Sequence, residues 1–155
     1  KTLLSRAAVF ELRRVPDLAI AEALVARGSD PFEAAGIAAR ADGRPGLALG
    51  FMEKADMVNW YASEERRWNT LRAASPHRRQ AECASLAPAR ADREETVERI
   101  RDVLELWQSF LRRELKAGEP SAADNLRRLH ALRGSLGANV QPRLLIEKFA
   151  LTLDR

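Results

Sequence analysis

Apolar positions recur every three or four residues through most of the chain, the spacing that lines one face of an α-helix. The clearest case covers residues 92–116. Val97, Ile100, Leu104, Trp107, Leu111 and Leu115 form one continuous stripe there, and Val103, Leu106 and Phe110 widen it beyond the needs of a single neighbour. The same period predicts a helix over 17–27 with Leu18, Ala21, Leu24 and Val25 on one face, stopped by Gly28. Asp30-Pro31 opens a second helix to residue 41, since Asp caps well and Pro suits the first helical position. A turn cluster, Asp42-Gly43-Arg44-Pro45-Gly46, leads into a third over 47–57. Longer helices are expected over 60–73, 77–86 and 92–116, then 122–136 with Ser121 as cap, and 143–153 after Gln141-Pro142. Only Ala8-Val9-Phe10-Glu11-Leu12 reads as a strand.

Composition agrees with this pattern. Ala and Leu dominate the apolar residues while β-branched residues are scarce, which favours helix over sheet. The fold class is therefore all-α. Three short helices with tight turns, residues 15–58, make a first unit, and about five longer ones, 59–155, make a second. A lone strand cannot satisfy its own backbone, and the chain opens on Lys1 within structured-looking sequence, so residues 1–14 are expected to be the remnant of a preceding module.

Charge narrows the function classes. Basic residues number 26 against 22 acidic ones, both signs interleaved at helical spacing, the mark of a solvated helix surface rather than a one-sided nucleic-acid stripe. The basic pairs Arg66-Arg67, Arg78-Arg79, Arg112-Arg113 and Arg127-Arg128 keep a helical DNA-binding module as an alternative. The single cysteine, Cys83, allows no intrachain disulfide and reads as a small buried residue. No run is long enough to span a membrane, no leader is recognisable, and a cytoplasmic setting is expected.

Catalytic signatures are missing from the sequence. There is no phosphate-cradling Gly-rich loop, no nucleophile elbow and no zinc-type Cys/His spacing. His77 is expected at the surface and His130 beside an apolar face; the pairs Glu64-Glu65 and Glu94-Glu95 read as surface ion-pair partners. Trp60, Tyr61, Trp68 and Trp107 sit on amphipathic helices and suit core packing better than base stacking. No cofactor or metal is expected, and the chain is not read as an enzyme by itself.

Three segments carry a family resemblance. Thr2-Leu3-Leu4-Ser5-Arg6-Ala7, followed by the strand 8–12, resembles the end of the ATPase module in clamp-loader subunits, where a Ser-Arg-Cys motif precedes the last strand. Ala41-Asp42-Gly43-Arg44-Pro45-Gly46-Leu47-Ala48-Leu49 resembles the start of the third lid helix in the delta-prime subunits of bacterial DNA polymerase III. Asn139-Val140-Gln141-Pro142-Arg143-Leu144-Leu145-Ile146-Glu147 is similar to the final helix of their collar domain. Their order and spacing, with lid-sized helices between the first two and about five longer ones after, extend the match over essentially the whole chain.

The resemblance implies a three-helix lid followed by a collar, in a ring of subunits that opens a sliding clamp and places it on primed DNA. The implied partners are the ATP-hydrolysing subunit, the delta subunit, the clamp and the DNA. Arg6 would be the arginine finger toward a neighbour's ATP, with Ala7 departing from the motif's cysteine. In ATP-hydrolysing loader subunits a G-S-x-R-[DE]-A-L stretch carries a nucleotide-sensing arginine; that position here is Gly46, which implies a non-hydrolysing subunit. An ATP-hydrolysing loader subunit stays as an alternative. The subunit contact is expected on Trp107, Phe110 and Leu111, with Leu129, Leu132 and Leu145 either sharing it or filling the bundle core.

Overall fold

The structure is a computed structural model, and it describes residues 13–88, 92–136 and 140–154. Among the described residues all regular structure is helical, in eight helices with no strand: α1 (Asp17–Val25), α2 (Pro31–Ala41), α3 (Pro45–Glu53), α4 (Ala55–Ala73), α5 (Pro76–Ala84), α6 (Arg93–Lys116), α7 (Ala122–Ser135) and α8 (Pro142–Leu151). The strand expected over 8–12 and the arginine at position 6 lie outside the described residues. The chain divides into two compact units, with Val58 closing the first and Asn59 opening the second.

In the first unit α1 and α2 form a closely packed helical hairpin with α3 against it. Asp30 caps α2 by accepting from the amides of Phe32 (2.9 Å) and Glu33 (3.2 Å), and Pro31 takes the first position, where no amide is needed. The core consists of Ile20, Leu24, Ala34, Ile37, Ala38, Ala41, Ala48 and Phe51. This corrects the expected face of α1: Ile20 and Leu24 point inward, while Leu18 and Val25 are exposed. The many alanines of α2 let the helices approach closely, and the inward direction is set by where α2 lies, which the period of α1 alone does not specify.

The turn between α2 and α3 is tightly determined. Asp42 (φ 49°) and Gly43 (φ 73°) both adopt left-handed backbone. A side chain on Gly43 would sit 2.6 Å from Cβ of Arg14, so only glycine lets the entering chain lie across the turn. There the amide of Val15 donates to the Gly43 carbonyl (3.0 Å) and Nη1 of Arg14 donates to the Asp42 carboxylate (2.7 Å). The third helix begins and ends earlier than expected, and the chain breaks at Lys54 rather than near residue 58. This early break brings the Met57 thioether back over Gly50, into space that any larger residue would occupy.

In the second unit α6 is the central helix. Asp92 caps it through the amides of Glu94 (2.8 Å) and Glu95 (3.0 Å); acidic residues fill its first turn and Arg113 and Lys116 its last, each matching the helix dipole. Helices α7 and α8 pack on it, and α8 also packs on α5 and α7. Helix α4 meets α6 through aromatic rings. Tyr61 is edge-on to Phe110 (5.5 Å), Trp68 lies against Trp107 (5.4 Å), and Phe149 of α8 also stacks on Trp107 (6.0 Å). Ser121 does not cap α7 through its side chain; its hydroxyl accepts from both terminal nitrogens of Arg72 instead (3.2 Å each).

Candidate functional site

The turn motif 41–49 places Arg44 just before α3, with Nε donating to the Ala41 carbonyl (3.2 Å), then Pro45 and Gly46 in the first helical turn, both exposed. Among the described residues nothing lies within 4 Å of where a Gly46 side chain would begin. Glycine is therefore not required there for packing. The position can accept a side chain and lacks one.

Trp107, Phe110, Leu111, Leu129 and Leu132 are all buried in the second unit's own core, and Leu145 is half-buried on α8. The width of the α6 stripe is consumed internally, because α4, α7 and α8 surround that helix from three sides. The stripe is exposed at Leu115, in its last turn, and half-buried at Val97, in its first. The apolar surface left over in this unit is on Trp60, Leu115, Val140, Leu144 and Leu151. Three of the four aromatic candidates, Tyr61, Trp68 and Trp107, are core residues as expected, and Trp60 is partly exposed.

At least one arginine of each basic pair is engaged within the chain. Arg67 pairs with Glu64, Arg113 with Glu65 (2.9 Å) while lying over the Phe110 ring (5.1 Å), Arg127 with Asp124, and Arg128 with Asp154 (2.7 Å). Arg79, read as part of a surface pair, is buried. Its guanidinium donates to the carbonyls of Leu153 (2.7 Å), Ala150 (3.2 Å) and Arg72 (3.5 Å). Such a charge is tolerated inside because several carbonyls, two of them at the negative end of α8, share it.

Asn125, fully buried, completes this clamp on the chain after α8. It donates to the carbonyl of Asp154 and accepts from the amide of Asp154, both at 3.0 Å. Arg72 and Arg128 add bonds to the carbonyls of Asp154 and Thr152. Sequence reasoning missed this network. Its signal is weak: a polar Asn within the apolar face between Ala122 and Leu129.

Two buried titratable groups have altered chemistry. Burial raises the Glu64 carboxyl above its ordinary 4.5, with Arg67 and the Trp107 indole pulling it partly back. Glu64 is thus not the surface partner expected from its spacing. A carboxyl raised on folding stabilises the fold below its unfolded pKa, and that contribution is lost as pH rises through the raised value. Glu64→Gln should therefore melt higher than the parent at pH 7, with the gap closing below pH 4.5. A gap that stays constant with pH would show that the charge is not what matters.

Cys83 is fully buried, and burial together with the nearby Glu147 carboxylate pushes its thiol up to about 12. The thiolate is the reactive form, so at pH 8 a maleimide should leave Cys83 unmodified in the folded protein and label it fully in denaturant. Labelling of the folded chain at the rate of a free thiol would contradict the buried placement.

Both histidines are exposed, His130 lying 3.0 Å from the buried amide of Gln108, which accepts from Arg133 (2.6 Å). No group of acidic, His or Cys side chains among the described residues is arranged to hold a metal, and no described helix is long and apolar enough to cross a membrane. No protein-family model matches the chain, and no curated protein or solved structure is significantly similar to it.

Proposed function

We propose that this chain is the lid and collar of a delta-prime-type subunit of a bacterial DNA polymerase III clamp loader. In this reading it acts in the cytoplasm as a non-catalytic member of the ring that places the sliding clamp on primed DNA. Residues 15–58 are the lid and 59–155 the collar that binds the ATP-hydrolysing and delta subunits. Arg6 is then the residue that reaches a neighbour's ATP. A guanidinium suits that role because it stays charged and offers parallel donors to phosphate oxygens.

The observation that carries the reading is the order of the three motifs along the chain relative to the helices. The Ser5-Arg6 segment precedes three short helices, the 41–49 motif falls at the entry to the third, and the 139–147 motif opens the last. Gly46 supports the non-hydrolysing assignment, since its local space would admit a longer side chain. The pairing of Arg67, Arg113, Arg127 and Arg128 with carboxylates, and the burial of Arg79, weigh against an independent DNA-binding module.

The test is size-exclusion chromatography with light scattering of the chain mixed with the ATP-hydrolysing loader subunit from the same source. A defined hetero-oligomer is expected. Independent elution of both proteins at micromolar concentration would defeat the reading. A steeply salt-dependent affinity for DNA by the chain alone would then favour the DNA-binding alternative.

A further inference from the structure

The end of α4 and the start of α5 enclose a recess of about 390 Å³ that opens to solvent, lined by Asn69, Thr70, Ala73, Ala74 and Arg78. The lining follows from the local sequence. Asn69 and Ala73 are four residues apart, as are Thr70 and Ala74, so all four fall on one side of the helix end. The amide of Ala74 donates back to the Thr70 carbonyl (2.8 Å), Ser75 turns the chain, and Pro76 opens α5, which brings Arg78 to the recess. Two successive alanines make a floor with no side chain long enough to fill the space. The volume falls in the roughly 300–1,000 Å³ range of small-molecule sites.

The charge around the recess has one sign. Arg78 is exposed, and its guanidinium has no ion pair or hydrogen bond among the described residues. Its neighbours are engaged elsewhere: Arg79 holds the carbonyls at the end of α8, and Arg72 holds Ser121 and the Asp154 carbonyl. The first turn of α5 contains no acidic residue, Glu65 of α4 is paired with Arg113, and Glu82, one turn along α5, does not pair with Arg78. Arg66, exposed one turn before Thr70, adds a second positive charge. Asn69 is exposed and supplies an amide donor. Thr70 gives its hydroxyl proton to the Arg66 carbonyl (2.9 Å), so its Oγ1 is left to accept.

We infer that this recess binds a ligand of the sugar-phosphate class. The phosphate lies on the Arg78 guanidinium and the Asn69 amide, a sugar hydroxyl donates to Thr70, and the carbon face of the sugar rests on Ala73 and Ala74. A guanidinium offers two parallel donors to phosphate oxygens. A phosphate keeps a third oxygen for the Asn69 amide, which a carboxylate held by the same fork lacks. The same chemistry is found in a free sugar phosphate and along an RNA chain. The inference stands apart from the loader reading, which uses none of these residues.

The test is an NMR titration of the isotope-labelled full chain with inorganic phosphate, a ribose phosphate and a short oligouridylate. Saturable shifts are expected at the amides of residues 69–78, with the ribose phosphate bound more tightly than inorganic phosphate. Arg78→Gln should weaken binding by about tenfold, the size of a lost hydrogen bond to a charged group, and Arg78→Lys should restore part of it. Thr70→Val should remove the advantage of the ribose phosphate and leave inorganic phosphate unaffected. Asn69→Ala, at an exposed position, tests the second donor independently.

Tighter binding of the oligouridylate that is still lost in Arg78→Gln would identify RNA as the source of the phosphate. Tighter binding of the ribose phosphate would identify a free small molecule. Shifts that do not saturate, or that are unchanged by Arg78→Gln, overturn the site. Acetate giving the same shifts at the same concentration would make Arg78 a general anion contact and overturn the ligand class.

Discussion

Trp107→Ala is expected to destabilise the second unit by about 3–5 kcal/mol, a large share of what holds a domain of this size together. The indole is fully buried and packs against both Trp68 of α4 and Phe149 of α8. Its removal deletes two ring contacts and leaves a cavity lined by rigid aromatics that cannot collapse to fill it. It also leaves the buried carboxyl of Glu64 without the indole beside it. Urea denaturation followed by circular dichroism would measure the loss. A change below about 1 kcal/mol would place Trp107 at the surface, where a subunit contact would have it. The same logic bears on assembly experiments. A charge placed at Trp107 or Leu111 would unfold the unit, so loss of a complex in such a variant would say nothing about an interface.

Arg79→Ala is expected to cost about 2–4 kcal/mol, through unsatisfied carbonyls rather than lost volume. Ala150 and Leu153 are buried, and their carbonyls take hydrogen bonds from this guanidinium. Water cannot replace those bonds without opening the end of α8. Arg79→Lys should recover only part of the loss, because an ammonium lacks the planar fork that spans carbonyls on two chain segments. Hydrogen exchange separates this effect from general softening: amides at the end of α8 and in residues 152–154 should lose protection before those of α6. Equal loss across α6 and α8 would mean that Arg79 is not a local clamp.

The helices themselves were largely legible because their signals are local. Asp30-Pro31 and the stripe from Ile100 to Leu111 announced α2 and α6 through chemistry within a few residues. Gly28 and Gly118, both in left-handed backbone, end the helices before them as their position suggested. The boundary after α3 was misplaced because no Gly or Pro marks Lys54, where the helix ends. On α1, Leu18 and Ile20 are equally apolar, and the periodicity of nine residues is too short to say which of them faces inward.

The candidate site was less legible, for a related reason. A wide apolar stripe signals several neighbours, yet those neighbours can belong to the same chain or to another. For α6 they are α4, α7 and α8 of its own unit, so its widest face holds the fold together. Spacing likewise cannot distinguish a solvated arginine from one whose carbonyl partners arrive from more than 70 residues away, as those of Arg79 do.

The sequence by itself determined that this protein is helical, where most helices begin and end, and which side chains are apolar enough to be buried. Those properties depend on backbone propensity, capping and period, all of which act within a few turns. Only the tertiary structure decided that Trp107 and Leu111 are spent on the core, that Arg79 is buried and that Leu18 and Phe32 are left outside. Burial is a property of what packs against a residue, and its partners here come from helices distant in the chain.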